Sequence, residues 1–298
     1  KRKPSRFLYE LEMAGKEPLI LQTADEIKDK NLLGADAVKP ISYIIPESFS
    51  FTSISAFQKC PLEYKYRFLL KIPEPGAPAL TFGSSMHKAL EKFMKLWQSR
   101  VSSRQLGMFG AAAGKGELPA FKELERFFTE SWSDDWYESK KQRDEYKKRG
   151  LEQIKTFYDH VKKHPPQPKY LEQFFKLKFG SYKFVGKIDR MDVSSGGVKI
   201  IDYKTGEGAP KSLTLENKEQ LLVYQLAAQE FFQEKVVSCQ YWYLNKNVLT
   251  EEFLGNAQEL SELRERYIDV IGQIIAAAKA DSFTALHKDH QGCQYKNI

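Results

Sequence analysis

Asp189 and Asp202 stand on two short apolar runs, "YKFVGKIDRMDV" (182–193) and "VKIIDYKTG" (198–206), joined by "SSGG", and Lys204 follows Asp202 by two positions. If residues 194–197 make the turn of an antiparallel pair, Val193 faces Val198, Met191 faces Ile200 and Asp189 faces Asp202. Directly opposed residues hold their β-carbons roughly 5 Å apart, and like charges there destabilise a sheet unless a cation lies between them. Side chains alternate along a strand, so Lys204 shares the face of Asp202. A divalent ion such as Mg²⁺ or Mn²⁺ takes carboxylate oxygens and keeps waters in its other positions. It acidifies a bound water, which an adjacent lysine can orient while stabilising charge on a scissile phosphate. The chemistry this patch suits is phosphodiester hydrolysis. Two things weigh against it: a one-residue slip in register would send one acid to the other face, and Asp189 could simply pair with Lys187, Arg190 or Lys204 on a solvated surface. Val198, Ile200 and Ile201, just ahead of Asp202, favour an acid leaving a core strand.

The surrounding elements must deliver these residues to one place. Residues 174–180, 182–193 and 198–206 read as a three-strand meander with turn residues between the runs. A helix is expected over 212–232, a strand over 236–245 and a last helix over about 257–280. Upstream, Phe57, Tyr64, Phe68 and Leu69 recur at helical spacing after a cap at Ser53 or Ser55, until "PEPGAP" breaks the run. A second helix starts after Gly83, capped by Ser84 or Ser85, with Met86, Leu90, Phe93 and Trp97 on its buried face and His87 and Glu91 one turn apart beside it. Residues 102–119 are Gly-, Ala- and Ser-rich and read as a surface loop or insertion. Residues 120–163 are helical, with the basic run "SKKQRDEYKKRG" either a solvated helix face or a phosphate-contacting ridge. The fold class is therefore mixed α/β: a central mixed sheet containing the meander, flanked by helices. Pro40 and Pro46 mark a join, which leaves residues 1–45 as a tail or linker.

Composition narrows the class of protein. The chain has 298 residues, 42% hydrophobic and 29% charged, a globular composition. The net charge of +7 suits an anionic partner such as DNA. No apolar run approaches the ~18 residues a bilayer span needs, so no membrane partner is expected and the address is cytoplasmic, nucleoid-associated for a DNA enzyme. Three scattered cysteines, Cys60, Cys239 and Cys293, give no disulfide framework.

At its acidic hairpin the sequence resembles the PD-(D/E)xK nuclease superfamily, in the branch of RecB-, AddB- and Cas4-like nucleases. "GKIDRMD" and "IIDYKTG" are similar to its two catalytic strands, "FGSSMHKALEKF" to its upstream histidine helix, and "KEQLLVYQLA" to its downstream helix. "SISAFQKCPLEYKYRFLLKIP" is similar to its opening block, and the five blocks stand in family order over roughly 50–245. The resemblance implies a restriction-endonuclease-like core over about 170–280 within a nuclease domain of 46–298, with an added helical part over about 50–165 that contributes the His87 helix. It implies a Mg²⁺- or Mn²⁺-dependent deoxyribonuclease, an exonuclease, acting in DNA repair or recombination. Asp189, Asp202 and His87 would be metal ligands, Lys204 the catalytic lysine, and Gln220 and Tyr224 helix residues that hold Lys204 or the DNA backbone. Glu91 would be a supporting group. "KRKPSRFLYEL" is similar to a segment near the end of UvrD/PcrA-like helicase motors, which implies a helicase partner in the same polypeptide or complex, alongside other repair subunits.

Members of this branch often carry a [4Fe-4S] cluster on one early cysteine and three late ones. Cys60 fits the early ligand, Cys293 a late one, and His290 stands where another cysteine would be, so the ligand set is incomplete. A further cysteine beyond Ile298, a lost cluster, or a Cys/His zinc site all fit this pattern. Cys239, inside an apolar strand, reads as a core residue. The competing functional class is a catalytically silent nuclease-like domain that binds DNA or docks a protein.

Overall fold

Polar caps and prolines decide where the helices begin. The computed structural model describes residues 43–73, 76–106, 117–206, 208–210 and 212–286, all within a compact unit that begins at Ser42. The helicase-like segment at the N-terminus, most of the 102–119 loop, His290 and Cys293 lie outside the described residues.

A short strand β1 (Ser48–Phe49) leads into helix α1 (Phe51–Lys59). Its cap is Ser50, where a cap at Ser53 or Ser55 was expected. Ser50 Oγ accepts from the Ser53 amide at 3.2 Å and Ser53 Oγ accepts from the Ser50 amide at 2.9 Å, a reciprocal capping box. The single helix expected over this stretch is broken, because Pro61 cannot donate to a continuing helix; Cys60 is extended, and a short α2 (Pro61–Tyr64) and a π-helical turn (Lys65–Leu69) follow.

Helix α3 (Pro78–Leu106) starts five residues before the expected Gly83, at a proline whose fixed φ suits a first turn. Gly83, Ser84 and Ser85 are therefore interior. Ser85 Oγ donates to the Thr81 carbonyl one turn back, at 3.0 Å. Residues 120–163 split into α4 (Phe121–Ser131) and α5 (Lys140–Lys163), the second capped by Ser139.

The strands follow as β2 (Pro168–Phe179), which begins six residues before the expected 174 and so takes in Glu172, β3 (Tyr182–Ser194) and β4 (Gly197–Lys204), then α6 (Leu215–Glu230), β5 (Val236–Tyr243), a short unexpected β6 (Val248–Leu249) and α7 (Ala257–Ala280). They form one mixed six-stranded open sheet flanked by helices, consistent with a restriction-endonuclease-like fold. β3 pairs antiparallel with β2 and β4 and parallel with β1, while β5 runs parallel to β4. The β3–β4 register has Val193 opposite Val198 and Met191 opposite Ile200, but Ser194 also pairs with Gly197, so the turn holds only Ser195 and Gly196. Gly196 takes φ +83°, which an L side chain resists, and a β-carbon on Gly197 would stand 2.0 Å from the Lys235 carbonyl oxygen.

Two apolar cores form, one on each face. One gathers Ile54 and Phe57 of α1, Leu221 and Val223 of α6 and Tyr267 and Ile271 of α7 against Phe175, Phe184 and Ile200. The other gathers Met86, Leu90, Phe93 and Trp97 of α3 with Phe128, Ile154 and Phe157 against Ile201, Tyr203 and Trp242. Each fully buried Leu, Ile or Phe contributes about 1.5–3 kcal/mol. Among the described residues no helix is long and apolar enough to cross a membrane.

Candidate active site

The hairpin ladder stops where the acids begin. Its last pair inward is Arg190 with Ile201; at the next level, Asp189 Oδ2 accepts the Tyr203 amide at 2.9 Å, and β4 leaves β3. β1 pairs with β3 further along, at Lys183 and Phe184, so β3 has a gap on this edge and the strands fork at Asp189 and Asp202.

The fork coincides with a change of face. In β2, Leu171 belongs to the α3-side core whereas Phe175, Leu177 and Phe179 belong to the α6-side core. In β3, Phe184 and Ile188 are followed on the α6 side by Met191, three positions on, which strict alternation forbids. Both strands switch at the level of Glu172 and Asp189, between the pairs Leu171–Arg190 and Gln173–Ile188. Glu172 sits there at φ +49°, unusual for a residue with a side chain. The switch swings its carboxylate off the solvated face it would share with Phe174 and Lys176.

His87 of α3 reaches the same point. Its Nδ1 lies 3.3 Å from Glu172 Oε1 and 3.5 Å from Asp189 Oδ2, and one ligand atom from each of the three residues lies within 4.8 Å of the others. Gly83 eases the approach of α3: a β-carbon there would stand 3.2 Å from Thr205 Oγ1. From the opposite face, Lys204 Nζ sits 2.7 Å from Asp202 Oδ2 and donates to Gln220 Oε1 at 2.8 Å; Gln220 Nε2 donates in turn to Tyr224 Oη at 2.8 Å. The structure thus brings His87, Asp189, Asp202, Lys204, Gln220 and Tyr224 to one fork reached from both sides of the sheet. Asp202 stands outside the three-residue ligand cluster, on the lysine side. Glu91 pairs with Lys95 at 2.6 Å. Cys60 is buried with a free thiol, and Cys239 is buried in the core.

The cations that could pair with Asp189 go to other carboxylates. Lys187 pairs with Glu172, Arg190 with Asp192 and Lys204 with Asp202, so among the described residues Asp189 has no lysine or arginine partner. Burial, and then the neighbouring Asp189 charge, push the Asp202 carboxyl up to about 6 against the pull of Lys204. Burial alone would lower His87, but its hydrogen bonds to Asp189 and Glu172 outweigh that and raise it to about 10. Burial, with the charges of Asp202 and Asp189, raises the Tyr224 hydroxyl well above its ordinary value. Asp202 Oδ2 and Glu172 Oε2 are buried, and each faces one lysine ammonium, Lys204 and Lys187 respectively. Two carboxylates and one imidazole within reach of a common point, Glu172, Asp189 and His87, with Asp202 beside them, are a donor set that fits a divalent ion.

Sequence reading missed two contributors. Glu172 gives no signal, since Leu171, Phe175, Leu177 and Phe179 keep a period of two and place Glu172 among polar residues. Arg190 lay within a quoted motif yet was read only as a partner for Asp189. It is 3% exposed and donates to Tyr203 Oη at 2.6 Å and to Asp192 Oδ2 at 2.8 Å, which ties β3 to β4 directly behind the fork.

No curated protein matches the sequence. Among solved structures the chain is similar to SSO0001, at 12% identity over 85% of each chain and a TM-score of 0.36. It is also similar to a protein designated a candidate exonuclease from Eubacterium rectale, at 13% identity over 67% of this chain and 87% of that one, with a TM-score of 0.37. VC1899 from Vibrio cholerae matches at 14% identity over 70% of this chain and 58% of that one, with a TM-score of 0.23. The sequence model of the PD-(D/E)XK nuclease superfamily matches residues 48–298, and the "DYK" of Asp202, Tyr203 and Lys204 with Asp189 on the preceding strand lies inside that match. The chain belongs to the PD-(D/E)XK nuclease superfamily.

Proposed function

We propose that this chain is a divalent-metal-dependent deoxyribonuclease of the RecB-like branch, an exonuclease whose nuclease domain spans 46–298 and works beside a helicase motor in DNA repair or recombination. The observation that carries the catalytic part is the fork, where Glu172, Asp189 and His87 converge on one point and Asp202 stands beside it with Lys204. His87, Glu172, Asp189 and Asp202 would hold Mg²⁺ or Mn²⁺. The ion, when bound, supplies a Lewis acid for a phosphoryl oxygen and a water of lowered pKa.

The chain's own residues do the rest. Gln220 accepts from Lys204, and its amide is fixed by donating to Tyr224, so the ammonium stays where it can orient a water and meet charge developing on the phosphate. With Glu172, Asp189 and Asp202 ionised against Lys187 and Lys204, a neutral His87 leaves the site one negative charge in excess. A divalent ion turns that into one positive charge, which suits a phosphodiester. Residues 1–45 would belong to the preceding motor region. Cys60 would be part of a [4Fe-4S] or zinc remnant with His290 and Cys293; an absorption spectrum of freshly purified protein separates a bound cluster from zinc or a lost cluster.

The test is cleavage of linear DNA. Wild type with Mg²⁺ or Mn²⁺ degrades it, EDTA stops it, and Asp202→Asn and Lys204→Ala each lose about 100-fold or more. Full cleavage by both variants would remove the assignment.

A further inference from the structure

Lys204 belongs to two places at once: it flanks the acids, and it also lines a cleft of about 410 Å³ on their far side. The register makes this cleft. Asp202 pairs with Tyr241 and Lys204 with Tyr243 in the parallel β4–β5 ladder, so both tyrosines share the face of the acid and the lysine. Tyr241 and Tyr243 stand edge to face, with centroids 6.2 Å apart. Phe51, Ser55, Gln58 and Lys59 of α1 form one wall, and Asn217 and Gln220 of α6 the other.

The two halves of this lining differ in what they leave free. Tyr241 is committed: it is buried, its hydroxyl donates to the Asn217 carbonyl at 2.7 Å, and Lys204 Nζ lies 4.8 Å over its ring. Glu219, the one acid in the lining, is neutralised by Arg266 at 2.6 Å and accepts from Tyr267 at 3.2 Å. By contrast, Tyr243 and Phe51 are only half-buried. Among the described residues, the side chains of Ser55, Gln58 and Lys59 have no hydrogen-bond or salt-bridge partner, although α1 points them at the cleft. An aromatic floor, unengaged amide and hydroxyl groups and a lysine at the rim are what a nucleobase on a phosphate backbone needs. A cationic or purely apolar ligand would meet a poorer match.

We propose that this cleft binds the base of an unpaired nucleotide next to the scissile phosphate, with Tyr243 as its stacking platform and Gln58 and Ser55 as contacts to the base edge. The inference rests on the nuclease reading for the position of the phosphate at Lys204. It goes beyond that reading in giving the substrate a requirement at the adjoining base. A base held in the cleft is not in a duplex stack, so blunt duplex is excluded from this pocket.

The experiment measures equilibrium binding by fluorescence anisotropy, with Ca²⁺ in place of the catalytic ion. It uses the full chain and three probes of equal length: a single strand, a strand of abasic residues and a blunt duplex. Wild type is expected to bind the base-bearing strand about tenfold more tightly than the abasic strand, as stacking on an aromatic side chain gives. Tyr243→Ala is expected to bind the base-bearing strand about tenfold more weakly and to lose the preference, while Tyr243→Phe, which keeps the ring, retains it. Gln58→Ala, at an exposed helix position, is expected to reduce the preference by a smaller factor. Equal binding of base-bearing and abasic strands by wild type, an undiminished preference in Tyr243→Ala, or a duplex that binds as well as the single strand would each overturn the proposal. Cleavage is read separately: a Tyr243-dependent preference in a protein that never cuts DNA supports the cleft and removes the nuclease reading instead.

Discussion

Two clusters of buried charge occupy neighbouring residues of β3 and β4, the second joined by Glu172 of β2. Arg190, Asp192 and Tyr203 form one, facing the core under α3 and α5; Glu172, Asp189 and Asp202 form the other, at the fork. In the first, one guanidinium meets one carboxylate at 2.8 Å and a tyrosine hydroxyl at 2.6 Å, all within 10% exposure, so the charge is balanced by the fold itself. In the second, three carboxylates face two lysines, and the remaining balance comes from a proton on His87. A buried pair with a built-in counter-charge holds structure together, whereas a buried excess balanced by a removable proton is arranged to exchange that proton for something else. The burial is similar; what differs is whether the counter-charge is covalently part of the chain.

The contrast is sharpest in stability. Arg190→Met should cost about 3–5 kcal/mol, because it strands Asp192 in an apolar core, and Arg190→Met with Asp192→Leu should recover much of it. Chemical denaturation of the metal-free protein checks both; equal losses in the single and double variants would mean the pair matters only through packing. At the fork the sign reverses. The folded-state pKa of Asp202, at about 6, lies above its ordinary 3.8, so the stability this carboxyl contributes is present below about pH 4 and lost as the pH rises through about 6. Asp202→Asn should therefore gain on wild type in thermal stability between pH 5 and pH 8 without metal, even as it loses about 100-fold or more in cleavage.

Smaller effects refine the comparison. Glu172→Gln should weaken metal binding by about 10–100-fold while leaving the fold intact, and calorimetric titration of Mn²⁺ would detect it. His87 is protonated in the metal-free protein up to about pH 10, so the metal must displace a proton and apparent Mn²⁺ affinity should rise with pH across the neutral range. Titrations in two buffers of different ionisation enthalpy would count that proton. The smallest loss, about tenfold in rate, is expected for Gln220→Ala, which frees Lys204 from its Tyr224-anchored partner without removing the ammonium.

Much of this was legible before any coordinates. The register from Val193–Val198 to Met191–Ile200 followed from apolar alternation and the glycines of the turn, but the ladder ends at Arg190–Ile201, one step short of the expected Asp189–Asp202 pair, and Asp189 takes the Tyr203 amide instead. The buried face of α3 followed from the spacing of Met86, Leu90, Phe93 and Trp97. Local signals erred at helix ends, where Pro78 and Ser50 outcompeted the serines nearer the apolar runs, and at Pro61, which cut a helix whose periodicity carried on across it. Glu172 was beyond reach for a different reason. A positive φ at a residue with a side chain leaves no mark in the sequence, and the face switch it produces is enforced by the two cores on either side of the sheet. Arg190 was visible, but the choice between Asp189 and Asp192 as its partner depends on which face follows the switch.

The most direct test is calorimetric titration of the metal-free protein with Mn²⁺, alongside Asp189→Asn, the variant that removes the carboxylate with no lysine or arginine partner among the described residues. Binding to wild type with net proton release, and its loss in the variant, is the expected result. Binding of equal affinity and equal proton release in both proteins would contradict a divalent ion held at the fork.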